Sequence, residues 1–151
     1  MASETTAADR IRAYYDALRS GEPLSPFFAR DDDIVKYGIT EKLTGYDEVE
    51  AGLRAQTETT DDWVVESDAL SVTERGDHAW FSDEVRMAWR DVESGRAYDF
   101  ESRWSGTLER RARGRDDSAG GGSTDDGDEA DSTWRFVGMH VSAVPPGPLA
   151  E

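Results

Sequence analysis

The chain contains two histidines, and one of them, His140, lies near the end of the stretch WRFVGMHVS at 134–142. Imidazole gives and takes a proton near neutral pH, which makes His140 a first candidate for general acid/base chemistry. Strict alternation puts Trp134, Phe136, Gly138, His140 and Ser142 on one face of a strand, and Arg135, Val137, Met139 and Val141 on the other. On that count His140 stands among aromatics, either as a proton-transfer group or as a histidine satisfied by a structural neighbour. Arg103, in FESRWSGT, is a mid-strand guanidinium that must be paired or face an anion if it is buried. Two readings stay open for it: a clamp for a ligand carboxylate, or an ion pair with Glu101, Asp83 or Glu84. Five tryptophans, Trp63, Trp80, Trp89, Trp104 and Trp134, are spread over the stretches 63–74, 77–91, 96–110 and 133–144 that read as long strands. They suit the wall of an apolar pocket, a plain core or a sheet-to-sheet interface.

Other chemistries find less support. His140 and Ser142 share a face, but no nucleophile elbow or third partner accompanies them. His78 lies far from His140 in register, and the acidic runs, DDD at 31–33 included, read as solvated charge, so no metal site is expected. GGG at 120–122 precedes no helix, so no phosphate cradle and no cofactor is expected.

The elements that position these residues follow from periodicity. Residues 6–20 have helical spacing with Ala7, Ile11, Tyr14, Tyr15 and Leu18 on one stripe, a Thr6/Asp9 capping pair and Gly21 as the stop. Ser25 is read as the cap of a short turn with Pro26 at its first position, and Phe27 and Phe28 packing inward. A short strand at 34–37 precedes a second helix, which starts after Gly45 with Tyr46, Val49 and Leu53 on one side. The period then changes to two over 63–74, 77–91, 96–110 and 133–144, which predicts four long strands joined by tight turns at ERGD and VESG. This is an α+β order, helices laid on one face of a curved antiparallel meander. One domain is expected over 1–144, with 112–132 a disordered acidic hairpin loop and 145–151 a flexible tail.

Charge bounds the partners. Acidic residues number 33 and basic residues 17, a net charge of −16, and 15 of the 17 cations are arginines. Such a surface repels nucleic acid and anionic membranes. It also strains the compact state unless salt shortens the Debye length to about 3 Å, as at molar concentration. The composition resembles that of proteins from salt-accumulating halophilic archaea. Cysteine is absent, no apolar run approaches the length of a bilayer span, and no signal peptide is visible at the start, so a cytoplasmic protein is expected.

The order of motifs, with FFARDDDI, GDHAWFSDEV at 76–85, SRWSGTLERR at 102–111 and the terminal WRFVGMHVS, resembles the SnoaL-like members of the NTF2-like superfamily. The resemblance implies a cone-shaped domain whose curved sheet wraps a long helix around a pocket, and it implies a homodimer packed through the outer sheet face. The implied pocket holds Tyr14, Tyr37, Tyr46, Trp80, Arg103 and His140 and takes a small, partly apolar ligand. If it catalyses, His140 would be the acid/base group, with Tyr14 or Tyr37 as hydrogen-bond donor. The ketosteroid isomerase-like branch uses a helix tyrosine, a carboxylate just after the first strand and a late-strand acid. Here Tyr14 falls at the first of these positions. KYG at 36–38 offers no carboxylate at the second, and the third falls near Ser105. The missing acids leave open a non-catalytic dimerisation or sensing module with its cavity filled by side chains.

Overall fold

The computed structural model describes residues 5–112 and 132–143. Helix α1, Ala7–Ser20, opens with the expected reciprocal cap. The Thr6 hydroxyl accepts from the Asp9 amide, the Asp9 carboxylate accepts from the Thr6 amide, and Gly21 ends the helix at φ 72°. The following single turn of 3-10 helix, Ser25–Phe27, departs from expectation at its start. Leu24, not Ser25, is the capping position, and no side chain caps the turn. Leu24 is instead buried with Phe27 and Phe28, so apolar packing takes the place of a polar cap.

Strand β1, Val35–Tyr37, turns back at Gly38 into β2, Lys42–Thr44, a second short strand whose three residues are too few to show a period. Helix α2, Tyr46–Thr59, follows Gly45, with Val49 and Leu53 buried. The stretch expected as one strand over 63–74 is two, β3 at Thr60–Ser67 and β4 at Ser71–Arg75. Both pair with the same neighbour, β5 at His78–Asp91, one along each half of its edge, so the alternating pattern runs on across the break. Strands β6, Ala97–Ala112, and β7, Ser132–Ala143, complete the meander. The expected loop and tail, 112–132 and 145–151, lie almost wholly outside the described residues.

The sheet runs β2-β1-β7-β6-β5-β3, with β4 also on β5. It is curved and unclosed, and it is mixed rather than antiparallel throughout, because β1 runs parallel to β7. Parallel pairing needs a long crossover, and here the rest of the described fold supplies it. The two helices pack on the sheet. Tyr14 meets Phe27, Phe28, Trp104 and Phe136 edge-on at ring-centroid distances of 5.2–6.3 Å, which fixes α1 against β6 and β7.

A one-residue irregularity governs which side chains face that core. Thr107 pairs with Gly138 but Leu108 pairs with Phe136, so Val137 is an extra residue in β7. Before this bulge Trp134 and Phe136 are buried; after it the phase reverses, and Met139 and Val141 are buried. A Cβ at Gly106 would lie 2.5 Å from the Gly138 carbonyl oxygen, so only glycine lets the two strands close over the bulge. His140 is therefore exposed on the outer face, contrary to the strict alternation that grouped it with Trp134 and Phe136.

Candidate functional site

Between α1, the concave side of the sheet and the β1–β2 turn lies a cavity of about 160 Å³. Strand β5 contributes Met87 and Trp89 to it, β6 contributes Trp104, and β7 contributes Met139 and Val141, the inward set that the bulge selects. Trp63 stacks on Trp89 with ring centroids 4.8 Å apart, so one wall is a pair of indoles. The Trp104 indole N–H donates to the Ser102 hydroxyl at 3.0 Å, and that hydroxyl donates to the Val85 carbonyl at 2.6 Å. Trp104 thus presents its ring with its polar atom satisfied.

Polar groups converge on the opposite wall. Tyr14 reaches the cavity from the sheet-facing stripe of α1, and Lys36 points into it from the middle of β1. Glu41 arrives by another route. The Gly38 amide donates to the Glu41 carbonyl at 2.9 Å, closing the turn between β1 and β2, and the Glu41 side chain folds back under Gly38. A Cβ at Gly38 would sit 2.9 Å from the Glu41 carboxylate, so the bare glycine leaves room for it. The Lys36 ammonium donates to that carboxylate at 3.4 Å.

Electrostatics separates the roles of these groups. Lys36 is 5% exposed, and burial pulls its amine below the ordinary lysine range, while the Glu41 carboxylate partly restores it. Burial pushes the Tyr14 phenol far up, and the charge of Glu41 pushes it further, so its hydroxyl stays protonated and can donate. Among the described residues no hydrogen-bond partner takes that proton. Tyr15, the next residue, is committed to structure. It donates to the buried Asp83 carboxylate at 2.8 Å, which also accepts from the Ser67 hydroxyl at 2.7 Å and the Ala69 amide at 3.0 Å. The cavity therefore offers a neutral donor, an amine and a partly exposed carboxylate beside apolar walls. Such a set can bind a polar head group and move a proton to or from it.

The residues expected at the site are not brought together. Tyr14 alone reaches the cavity. His140 pairs in register with Ser105 and Tyr37 on the outer face, its ring 5.4 Å from that of Tyr37. Arg103 lies on the same face opposite Glu84, beside Ser82, Ser105, His140 and Ser142 in a shallow depression. It makes no ion pair among the described residues, and Asp83 is buried on the other side of the sheet. Trp80 is 46% exposed and packs under Arg75, and Tyr46 sits at the start of α2 beneath Arg30. Each of these residues faces outward or sideways because its strand parity, or its place at a helix end, points it away from the concave side.

The sequence reading missed Lys36, Glu41, Trp63 and Trp89 as a group. The carboxylate absent from KYG is supplied three residues later, by a turn that returns it to the place where β1 ends. Two signals were present: a lysine inside a strand of a chain with only two lysines, and a glycine at the turn.

A helix held in a curved, open α+β sheet with a cavity between them defines the NTF2-like class of folds. Within that class the chain belongs to the SnoaL-like domain family, whose model matches residues 8–114. An NTF2-like superfamily protein of Salmonella enterica serovar Typhimurium superposes with a TM-score of 0.69 at 14% identity, covering 95% of this chain and 92% of that one. A ketosteroid isomerase-like protein of Erwinia carotovora atroseptica gives 0.66 at 17% identity, over 92% and 94% of the chains. An NTF2-like protein of unknown function from Pseudomonas putida gives 0.64 at 21% identity, over 94% and 85%. Identities this low carry the fold alone. No curated protein matches the chain.

Proposed function

We propose that the chain is a small-molecule-binding SnoaL-like domain whose site is the concave cavity, with Tyr14 as hydrogen-bond donor and Glu41 as the group that accepts a proton. The observation that carries this reading is the meeting of Tyr14, Lys36 and Glu41 against Trp63, Trp89 and Trp104 in one open cavity. The ligand it fits is small and partly apolar, with a polar head directed at Tyr14. The exposed position of His140 counts against it as the acid/base group. The open volume counts against a module whose cavity is filled by side chains.

The test is quenching of indole fluorescence by small aromatic acids and ketones. A ligand that quenches should lose about fivefold in affinity in Tyr14→Phe, the value of one hydrogen bond of about 1 kcal/mol, and bind His140→Ala as it binds the parent. Loss in His140→Ala with none in Tyr14→Phe would overturn the assignment.

A homodimer through the outer sheet face is a second proposal. It is supported by Tyr37 and Trp80, which stand 42% and 46% exposed there among serine and threonine side chains. Sedimentation of the parent and Trp80→Glu tests it, a monomeric parent removing the proposal. Adaptation to high salt is proposed from the charge of −16 and the scarcity of lysine.

A further inference from the structure

The chain uses arginine for 15 of its 17 cations, yet the cation that lines the cavity is a lysine. The two are not equivalent there. Guanidinium stays charged at any accessible pH and has no lone pair to offer, whereas a desolvated amine can shed its proton and attack. Lys36 has the surroundings for this. It is 5% exposed, its Nζ lies 3.4 Å from a single carboxylate oxygen of Glu41, and apolar side chains of Met139 and Trp104 share its cavity. Burial also draws its pKa down. The other lysine, Lys42, stands on the exposed β2 strand with its Nζ over the Tyr37 ring.

We propose that Lys36 is a nucleophilic amine that forms an imine with aldehydes or ketones admitted to the cavity, and that Glu41 carries the protons. The proposal rests on the cavity being a binding site and adds the ligand class. The Lys36 ammonium gives one proton to the Glu41 carboxylate. The freed Nζ lone pair forms a bond to the carbonyl carbon as the C=O π pair moves to oxygen. The nitrogen then loses a proton and the oxygen gains one, giving a carbinolamine. Glu41, now a carboxylic acid, protonates that hydroxyl; the C–O bond breaks, water leaves, and the nitrogen lone pair closes the C=N bond. Ammonium plus carbonyl becomes iminium plus water, with Glu41 a carboxylate at both ends and no redox partner needed. Tyr14, an un-ionised donor in the same cavity, suits the carbonyl oxygen.

The experiment uses benzaldehyde as the probe and borohydride to reduce any imine to a stable secondary amine, with peptide mass spectrometry to locate it. Benzyl alcohol, which has no carbonyl, reports occupancy of the cavity through indole fluorescence. The expected result is an adduct at Lys36 in at least about tenfold excess over Lys42, lost in Lys36→Arg and slowed in Glu41→Gln. Labelling of Lys42 equal to or above that of Lys36 overturns the imine. If benzyl alcohol quenches while Lys36 stays unlabelled, the imine falls and the cavity remains a binding site. If benzyl alcohol and benzaldehyde both fail to quench and to label, both readings fall. Retention of fold in Lys36→Arg, read by circular dichroism, shows that loss of the adduct is loss of the amine.

Discussion

The two faces of one sheet hold different chemistry although they are built from alternate residues of the same strands. On the concave face, Tyr14, Lys36 and Glu41 meet indole walls in a cavity partly shielded from water. On the outer face, Arg103, His140 and Tyr37 stand in the open, with serines between them. By residue type the outer set looks more like an active site, since it holds the imidazole. By environment the concave set is the more potent, because burial lowers the pKa of Lys36 and raises that of Tyr14. Surroundings, more than residue identity, make a group reactive, and a single bulge at Val137 decides which face the end of β7 serves.

The largest effect should come from attacking that bulge. In Gly106→Ala the new methyl would meet the Gly138 carbonyl at 2.5 Å and the Phe81 ring at 2.9 Å. We expect a loss near the upper end of the about 1–3 kcal/mol typical of overpacking, a fall of roughly 2–4 °C in Tm per kcal/mol. Gly138→Ala, where the nearest atom is 3.9 Å away, is the control and should melt close to the parent. Equal melting of the two variants would mean that the bulge does not sort the faces.

Salt separates the faces on a broader scale. Arg86 on the outer face is held by Asp99 and Glu66, and its guanidinium keeps the Asp99 carboxyl below the usual range. Such exposed pairs weaken as salt rises, but the net repulsion of a chain at −16 weakens as well. Repulsion is the larger quantity, so Tm should climb by several degrees from 0.1 to 3 M KCl, in a thermal-shift measurement, with the tryptophan emission of the cavity unchanged. A flat profile would remove the proposed adaptation to salt.

Much of the fold was legible because its signals are local. The Thr6/Asp9 cap, Gly21, Gly45 and the alternation of β5 and β6 each specify their own element within a few residues. What escaped depends on partners distant in sequence. The break between β3 and β4 is hidden because both halves share β5, and the parallel pairing of β1 with β7 joins residues about a hundred positions apart. The site was less legible than the fold. Parity counting works only up to a bulge, so Tyr14 was placed by its helix stripe while His140 was carried to the wrong face. Gly106 and Gly138 were the available warnings, being glycines inside strands.

A smaller effect tests whether the buried amine is a burden to the fold. Lys36→Met removes a desolvated charge and leaves Glu41, which is partly exposed and can be hydrated. At pH 7 the variant should be between neutral and about 1 kcal/mol more stable, while the benzaldehyde adduct disappears. The sign of the pH dependence follows from the depressed pKa. Between the folded value and the ordinary 10.5, the unfolded chain binds the Lys36 proton more tightly than the folded one, so the parent gains stability as pH rises through that window. The advantage of Lys36→Met should therefore narrow toward pH 10.5, and Tyr14, whose raised pKa makes both proteins less stable in alkali, cancels in the difference. A margin that widens with pH would contradict a desolvated amine.

The smallest effect lies at the rim, where the faces meet. Asp31, in the loop before β1, accepts two hydrogen bonds from Arg111 near the end of β6, at 2.8 and 3.3 Å. Arg111 holds the Asp31 carboxyl below its ordinary 3.8, so the folded state binds that proton less tightly than the unfolded chain. Stability from the pair is thus present above pH 3.8 and lost as pH falls through the depressed value. Because both side chains are partly in water, Asp31→Asn should cost only about 0.2–1 kcal/mol at pH 7. Urea titrations of parent and variant should draw together as pH falls below 3.8 and converge once it passes the depressed value, where the folded parent carboxyl is protonated as well. Neither Asp31 nor Arg111 lines the cavity that holds Tyr14 and Lys36, so ligand quenching should stay unchanged in Asp31→Asn. A coupled loss of binding would mean that the loop ahead of β1 sets the position of Lys36, and the cavity would then have to be counted as extending to the rim.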